Sequence, residues 1–193
     1  HEYQRALELA KALHKRNMDD LIVWGEITDA EIALGRYADA EKSTQWMLDL
    51  RTGDAGSLER GARMRELVGD AEAAQLWILA FRALPDHETE YKAFLLVGYG
   101  SSQLRAGKVD EADKLLTQAL QIFPAYHLAL PALARVRMAQ HRYRDAVDLL
   151  RKNAYPTMAD KFLLAEALDG AGQHDEAGRV YTAFEQEARA VVD

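Results

Sequence analysis

Gly98-Tyr99-Gly100 opens like a loop that cradles the phosphates of a dinucleotide, but Gln103 stands where the last glycine is needed. No strand precedes it, which that motif requires, so close contact between helices explains Gly100 better. The six histidines are scattered without an HExxH or comparable ligand spacing. His87, Glu88 and Glu90 come nearest to a metal-holding group, and a solvated helix start accounts for them. Ser101-Ser102 lacks the strained elbow and partnered base of a nucleophile. Asp110-Glu111 falls where a helix dipole already favours negative charge. These residue types, in these spacings, assemble no active site. The expectation is a non-enzymatic chain with no catalytic residue, cofactor or metal.

Composition narrows the partner class. The net charge is −7, with 12 basic and 18 acidic residues in 1–97 against 12 and 13 in 98–193. An acidic chain repels phosphate backbones, which disfavours nucleic acid. The local exception is 135–152, where six basic residues meet two acidic ones; a solvated helix face is its plain reading. There are no cysteines, a composition that suits a reducing cytosol and a bacterial periplasm alike. No apolar run approaches the roughly 18 residues of a membrane span.

The elements emerge from the stretch Lys92 to Pro124. From Phe94 to Arg105 the apolar residues fall at helical spacing, and Gly107 follows as a left-handed terminator. Val109, Ala112, Leu115, Leu116, Ala119 and Leu120 mark the buried stripe of a second helix, which Pro124 closes. Gly100 and Ala112 carry the packing, because facing small residues let helix axes approach to roughly 8–10 Å.

That pairing recurs. The alanines opening the second helices are Ala6, Ala40, Ala74, Ala112, Ala146 and Ala177, spaced by 34, 34, 38, 34 and 31 residues. Twelve residues before the last five stand Thr28, Ala62, Gly100, Ala134 and Ala165, and five before them Gly35, Gly69, Gly107, His141 and Gly172. Histidine is among the residues that tolerate positive φ. The period and its marks resemble the tetratricopeptide repeat family, a helix–turn–helix of about 34 residues. The clearest matches are Trp24 with Gly35-Arg36-Tyr37 and Ala40, then Gly100, Gly107, Ala112, Ala119 and Pro124. Met47, Phe81, Asn153 and Phe184 depart from it where alanine is preferred, as do Ala71 and His174 where a large apolar residue is.

The resemblance implies an all-α fold, a right-handed α-solenoid of stacked helix–turn–helix repeats. Residues 1–193 are expected to form one such domain: a partial repeat at 1–18, then repeats at about 21–54, 55–88, 89–126, 127–156 and 157–191. By register the first helix is the second half of a repeat, which suggests a segment of a longer array with an apolar face open at its start. Asp19 and Asp20 are candidate caps for the next helix, and Thr157 with Asp160 approximates a capping box. The 38 spacing places four extra residues near Pro85-Asp86-His87-Glu88, in a loop or in flanking helices. Pro131 is expected to kink or delay its helix.

In the resembled family the first helix of each repeat lines a concave groove. Mapped onto this chain, the inward positions include Gly25 and Asp29, then Glu59, Arg63 and Glu66. Phe94, Val97, Leu104 and Arg105 follow, then Leu128, Arg135 and Met138, and finally Phe162 and Glu166. The candidate partner-binding set is Arg63, Phe94, Val97, Arg105, Leu128, Arg135 and Met138: an apolar middle flanked by arginines. It suits a protein or peptide ligand, an amphipathic helix or extended segment with apolar anchors and a carboxylate. The competing reading of Phe94, Leu128 and Phe162 is packing between repeats. Gly25 and Asp29 stand where some members place residues that grip a terminal carboxylate, so that activity is not implied. A protein–protein interaction scaffold is the leading reading. An accessory domain of a larger enzyme or signalling protein is the second, and an RNA-binding helical repeat the third.

Overall fold

The computed structural model describes residues 2–192; His1 and Asp193, the ends of the expected domain, lie outside them. Eleven helices and no strand occur among the described residues. They fall into two compact units, residues 1–87 and 88–193.

The first unit holds α1 (Glu2–His14), α2 (Leu21–Ala33), α3 (Tyr37–Leu50), α4 (Ala55–Leu67) and α5 (Ala73–Ala83). The chain starts its helices where side chains can stand in for missing backbone partners. Asp20 Oδ1 accepts from the amides of Ile22 (3.0 Å) and Val23 (3.3 Å), and Asp54 Oδ2 from that of Ser57 (2.8 Å). Caps of this kind contribute about 1 kcal/mol each. Leu7 and Ala10 of α1 join Ile27 and Ala30 of α2 in one buried cluster. Much apolar surface of α1 is open: Ala6, Tyr3, Leu9 and Leu13 are all exposed. Ala6 thus departs from the other recurring alanines, since Leu7 is the residue sealed in its place.

The second unit holds α6 (Thr89–Arg105), α7 (Val109–Ile122), α8 (Ala129–Ala139), α9 (Tyr143–Arg151), α10 (Met158–Gly170) and α11 (His174–Val192). Within it each helix packs on the next, and the first helices are neighbours too: α6 touches α8, and α8 touches α10. α6 runs 17 residues where α2 and α4 run 13. The four extra residues of the long spacing therefore sit in the opening turn of α6. Pro131 delays α8, as expected of a residue without an amide hydrogen; it occupies the third helical position, where no intrahelical bond is lost. Thr157 and Asp160 form a full capping box, the Thr157 hydroxyl accepting from the Asp160 amide (3.2 Å) and Asp160 Oδ2 from the Thr157 amide (2.9 Å).

The small-residue contacts hold the hairpins together. Ala40, Ala112 and Ala146 have no exposed surface, nor do their counterparts Thr28, Ala62, Ala134 and Ala165. In α5 the register slips by one residue: Ala73 is buried and Ala74 only half so. Ala71 supplies no apolar anchor at the start of α5, where Tyr37 and Val109 open α3 and α7. A turn closed by the Ala73 amide on the Asp70 carbonyl (3.2 Å) intervenes.

All five turn residues adopt positive φ: Gly35 (71°), Gly69 (72°), Gly107 (75°), His141 (58°) and Gly172 (78°). His141 makes the same closure as glycine. The Arg142 amide reaches the Arg137 carbonyl at 2.7 Å, as the Lys108 amide reaches that of Gln103 at 2.9 Å.

Candidate protein-binding surfaces

On the α2–α4 face of the first unit the inward positions are occupied by a charge network. Arg60 Nη2 meets Asp29 Oδ2 at 2.5 Å, and Arg63 Nη1 meets Asp29 Oδ1 at 3.0 Å and Glu59 Oε1 at 3.3 Å. Arg60 also donates from Nε to the Gly25 carbonyl (3.3 Å) and from Nη1 to that of Gly56 (3.2 Å). Gly25 makes room for this: a Cβ there would lie 2.9 Å from the Arg60 guanidinium. Glu59 is 3% exposed. Burial pushes its carboxyl above the ordinary value, against the pull of Arg63 and Arg60. Arg63 is thus tied to two carboxylates. Arg60 was not among the candidates, although its place beside Glu59 and three residues before Arg63 was visible in the sequence.

The other six candidates lie in the second unit, three on α6, two on α8 and Leu128 just before α8, and the two helices touch one another. Phe94 is half-buried with its ring 5.9 Å from that of Tyr91. Val97 and Leu104 pack on the cluster of Ala112, Leu116, Ala132, Leu133 and Val136. Met138 packs on the next cluster along, which includes Ala134, Val147 and Leu163. These three are largely structural. Leu128 (36%) keeps an apolar surface in water, as does Phe162 (40%) on α10, whose ring leans on Tyr181 and Phe184. Arg105 ends α6 and is exposed. Arg135 is exposed and forms no ion pair among the described residues.

The basic stretch 135–152 is half neutralised. Arg137 pairs with Asp113, Arg142 with Asp145 (2.5 Å) and Arg151 with Glu176 (2.7 Å). Burial raises the Asp113 carboxyl, but hydrogen bonds from Arg137 and Gln140 and the Arg137 charge outweigh it and hold the group below its ordinary value. Among the described residues no group of three or more His, Asp or Glu is placed to hold a metal, and no helix is long and apolar enough to cross a membrane.

Residues 103–152 match the family model described as tetratricopeptide repeat. No curated protein sequence matches the chain significantly. Among solved structures, PilW, a widely conserved type IV pilus biogenesis factor, is similar with a TM-score of 0.80 over 99% of this chain and 91% of its own, at 18% identity. The APC/C hetero-tetramer Cut9–Hcn1 is similar with a TM-score of 0.82 over 95% of this chain and 36% of the matched one, at 13% identity. A Podosopora anserina putative kinesin light chain with nearly identical TPR-like repeats gives 0.72 over 91% and 98%, at 19% identity. At these identities the likeness concerns the fold, an all-α helical-repeat solenoid. The matched segment spans the α7–α8 core, and helix–turn–helix units of similar construction flank it.

Proposed function

We propose that the chain is a protein–protein interaction scaffold that takes a peptide or helix on the α6–α8–α10 face of its second unit. The observation that supports this most is that Arg135, an exposed arginine without an ion pair among the described residues, shares the unit with two partly exposed apolar side chains, Leu128 just before α8 and Phe162 on α10. An apolar anchor beside a guanidinium is how an interface hot spot is commonly built. Phe94 extends the apolar part along α6. The similar fold of a chain in the Cut9–Hcn1 hetero-tetramer fits the reading.

The test is affinity capture from native lysate with the wild type, Arg135→Glu and Phe94→Asp, each checked for helicity by circular dichroism. A protein retained by the wild type and lost by both variants is the expected result. Equal retention by all three would remove this face from consideration. Arg135→Glu is the cleaner variant, because its side chain stands in water and the core does not depend on it.

A further inference from the structure

A cleft of about 460 Å³ runs between α3 and α4 in the first unit. Its α4 wall holds Leu67 and, on one side of the helix, Gly61, Met64, Arg65 and, just past its end, Val68. At roughly 100° per residue the latter four lie on the side opposite Glu59, Arg63 and Glu66, so the cleft is separate from the ion network. Its α3 wall extends from Tyr37 to Leu48, about 16 Å at 1.5 Å per residue. An extended segment of about five residues spans that length.

Three observations give the cleft a ligand chemistry. At one end Tyr37, Leu67 and Val68 hold apolar surface in water, at 51%, 53% and 79% exposure. Thr44 lies at the floor and is 4% exposed; its methyl is 3.8 Å from where a Cβ on Gly61 would be, and its buried hydroxyl has no hydrogen-bond partner among the described residues. A buried hydroxyl without a partner is uncommon and asks for one. The mouth carries excess negative charge. Arg65 Nη1 is shared between Asp70 Oδ2 (2.6 Å) and Glu72 Oε2 (2.9 Å), and Glu41 on the facing wall has no ion pair among the described residues. Asp70 stays ionised readily, because the Glu72 amide and then Arg65 hydrogen-bond its carboxylate.

We propose that the α3–α4 cleft is a docking site for an extended peptide segment that presents aliphatic side chains beside lysine or arginine. The aliphatic groups cover Met64, Leu67 and Val68. The cation meets the carboxylates of Glu41 and Asp70, and a turn of Thr44 about χ1 brings its buried hydroxyl to the peptide backbone. This site belongs to the first unit, whereas the face proposed above belongs to the second, so either can fail alone.

The test is a titration of the whole ¹⁵N-labelled chain with the acetylated, amidated hexapeptide SLKLKS, followed by amide chemical shifts. Saturable shifts at Thr44, Met64 and Val68 are expected. They should weaken at least about five-fold with SLELES and vanish with SSKSKS, as charge and apolar anchors are removed in turn. Glu41→Lys should weaken SLKLKS by a similar factor; its side chain is exposed, so the fold is untouched. Thr44→Val should weaken it about two- to five-fold if the hydroxyl is used. The absence of saturable shifts at millimolar peptide overturns the proposal, as do equal shifts with SLELES. Shifts confined to α6 and α8 overturn it too, by sending the peptide to the second unit.

Discussion

A Cβ placed on Gly100 would lie 2.8 Å from Cγ of Leu116 and 3.4 Å from Cβ of Leu115. The closest approach of α6 and α7 thus rests on one missing methyl group. Leu116 is fully buried, so its side chain has nowhere cheap to retreat.

Gly100→Ala is expected to lower stability by about 1–2 kcal/mol. Overpacking a tight core costs about 1–3 kcal/mol, and the better helix propensity of alanine returns up to about 1 kcal/mol. Urea unfolding followed at 222 nm measures the difference. A stabilised variant would show that α6 and α7 can separate without penalty.

His141→Gly should stabilise the second unit by roughly 0.5–1 kcal/mol. A left-handed conformation costs a side-chain-bearing residue about 1–2 kcal/mol, and His141 holds φ at 58°. The loss of its weak contact with the Tyr143 hydroxyl (3.4 Å) and the greater freedom of glycine in the unfolded chain offset part of the gain. Thermal unfolding should show a higher midpoint than the wild type.

Arg60→Gln should cost about 2–4 kcal/mol, because it leaves Asp29 and the buried Glu59 short of a counter-charge. The Arg60 side chain is 17% exposed and serves both carboxylates and two carbonyls. Pairing Arg60→Gln with Asp29→Asn in a double-mutant cycle should recover part of the loss. Additive effects would mean the two side chains do not couple.

Asp113→Asn should destabilise the chain near neutral pH by about 1.5–3 kcal/mol, the range of a hydrogen bond to a charged group. The carboxyl of Asp113 is held below its ordinary 3.8 in the folded chain. Its contribution is therefore complete above that value and fades as pH falls through the lower, folded one. The gap between wild type and variant should narrow below about pH 3.8. Urea midpoints at several pH values read this out; a gap that widens in acid would contradict the assigned sign.

The fold was legible in the sequence because its marks are backbone requirements that few residues satisfy. A terminator must turn left-handed, so glycine recurs at Gly35, Gly69, Gly107 and Gly172, and the one histidine in the series proved to adopt the same conformation. The long spacing was legible only as four extra residues; whether loop or helix takes them depends on packing at the start of α6. Ala74 and Ala6 misled by their register. A delayed start moves Ala73 into the first position, and Ala6 is exposed.

The surface was harder to read than the scaffold. Helical periodicity says which side of α4 carries Arg63, but not that Arg60 and Asp29 claim it first. Val97, Leu104 and Met138 appear as groove residues by position, yet a half-buried side chain at a helix interface serves the core as much as the surface. The α3–α4 cleft has no signature at all in the sequence, since it arises where two stripes from different repeats leave Tyr37, Leu67 and Val68 uncovered.

The pairing of Arg137, Arg142 and Arg151 with carboxylates limits how the second unit answers a polyanion. Arg135, Arg144 and Lys152 are the cations of that stretch without an ion pair among the described residues. Three contacts to single-stranded phosphates would displace about two counterions. Retention on heparin should therefore be shallow in its salt dependence, with elution early in a gradient.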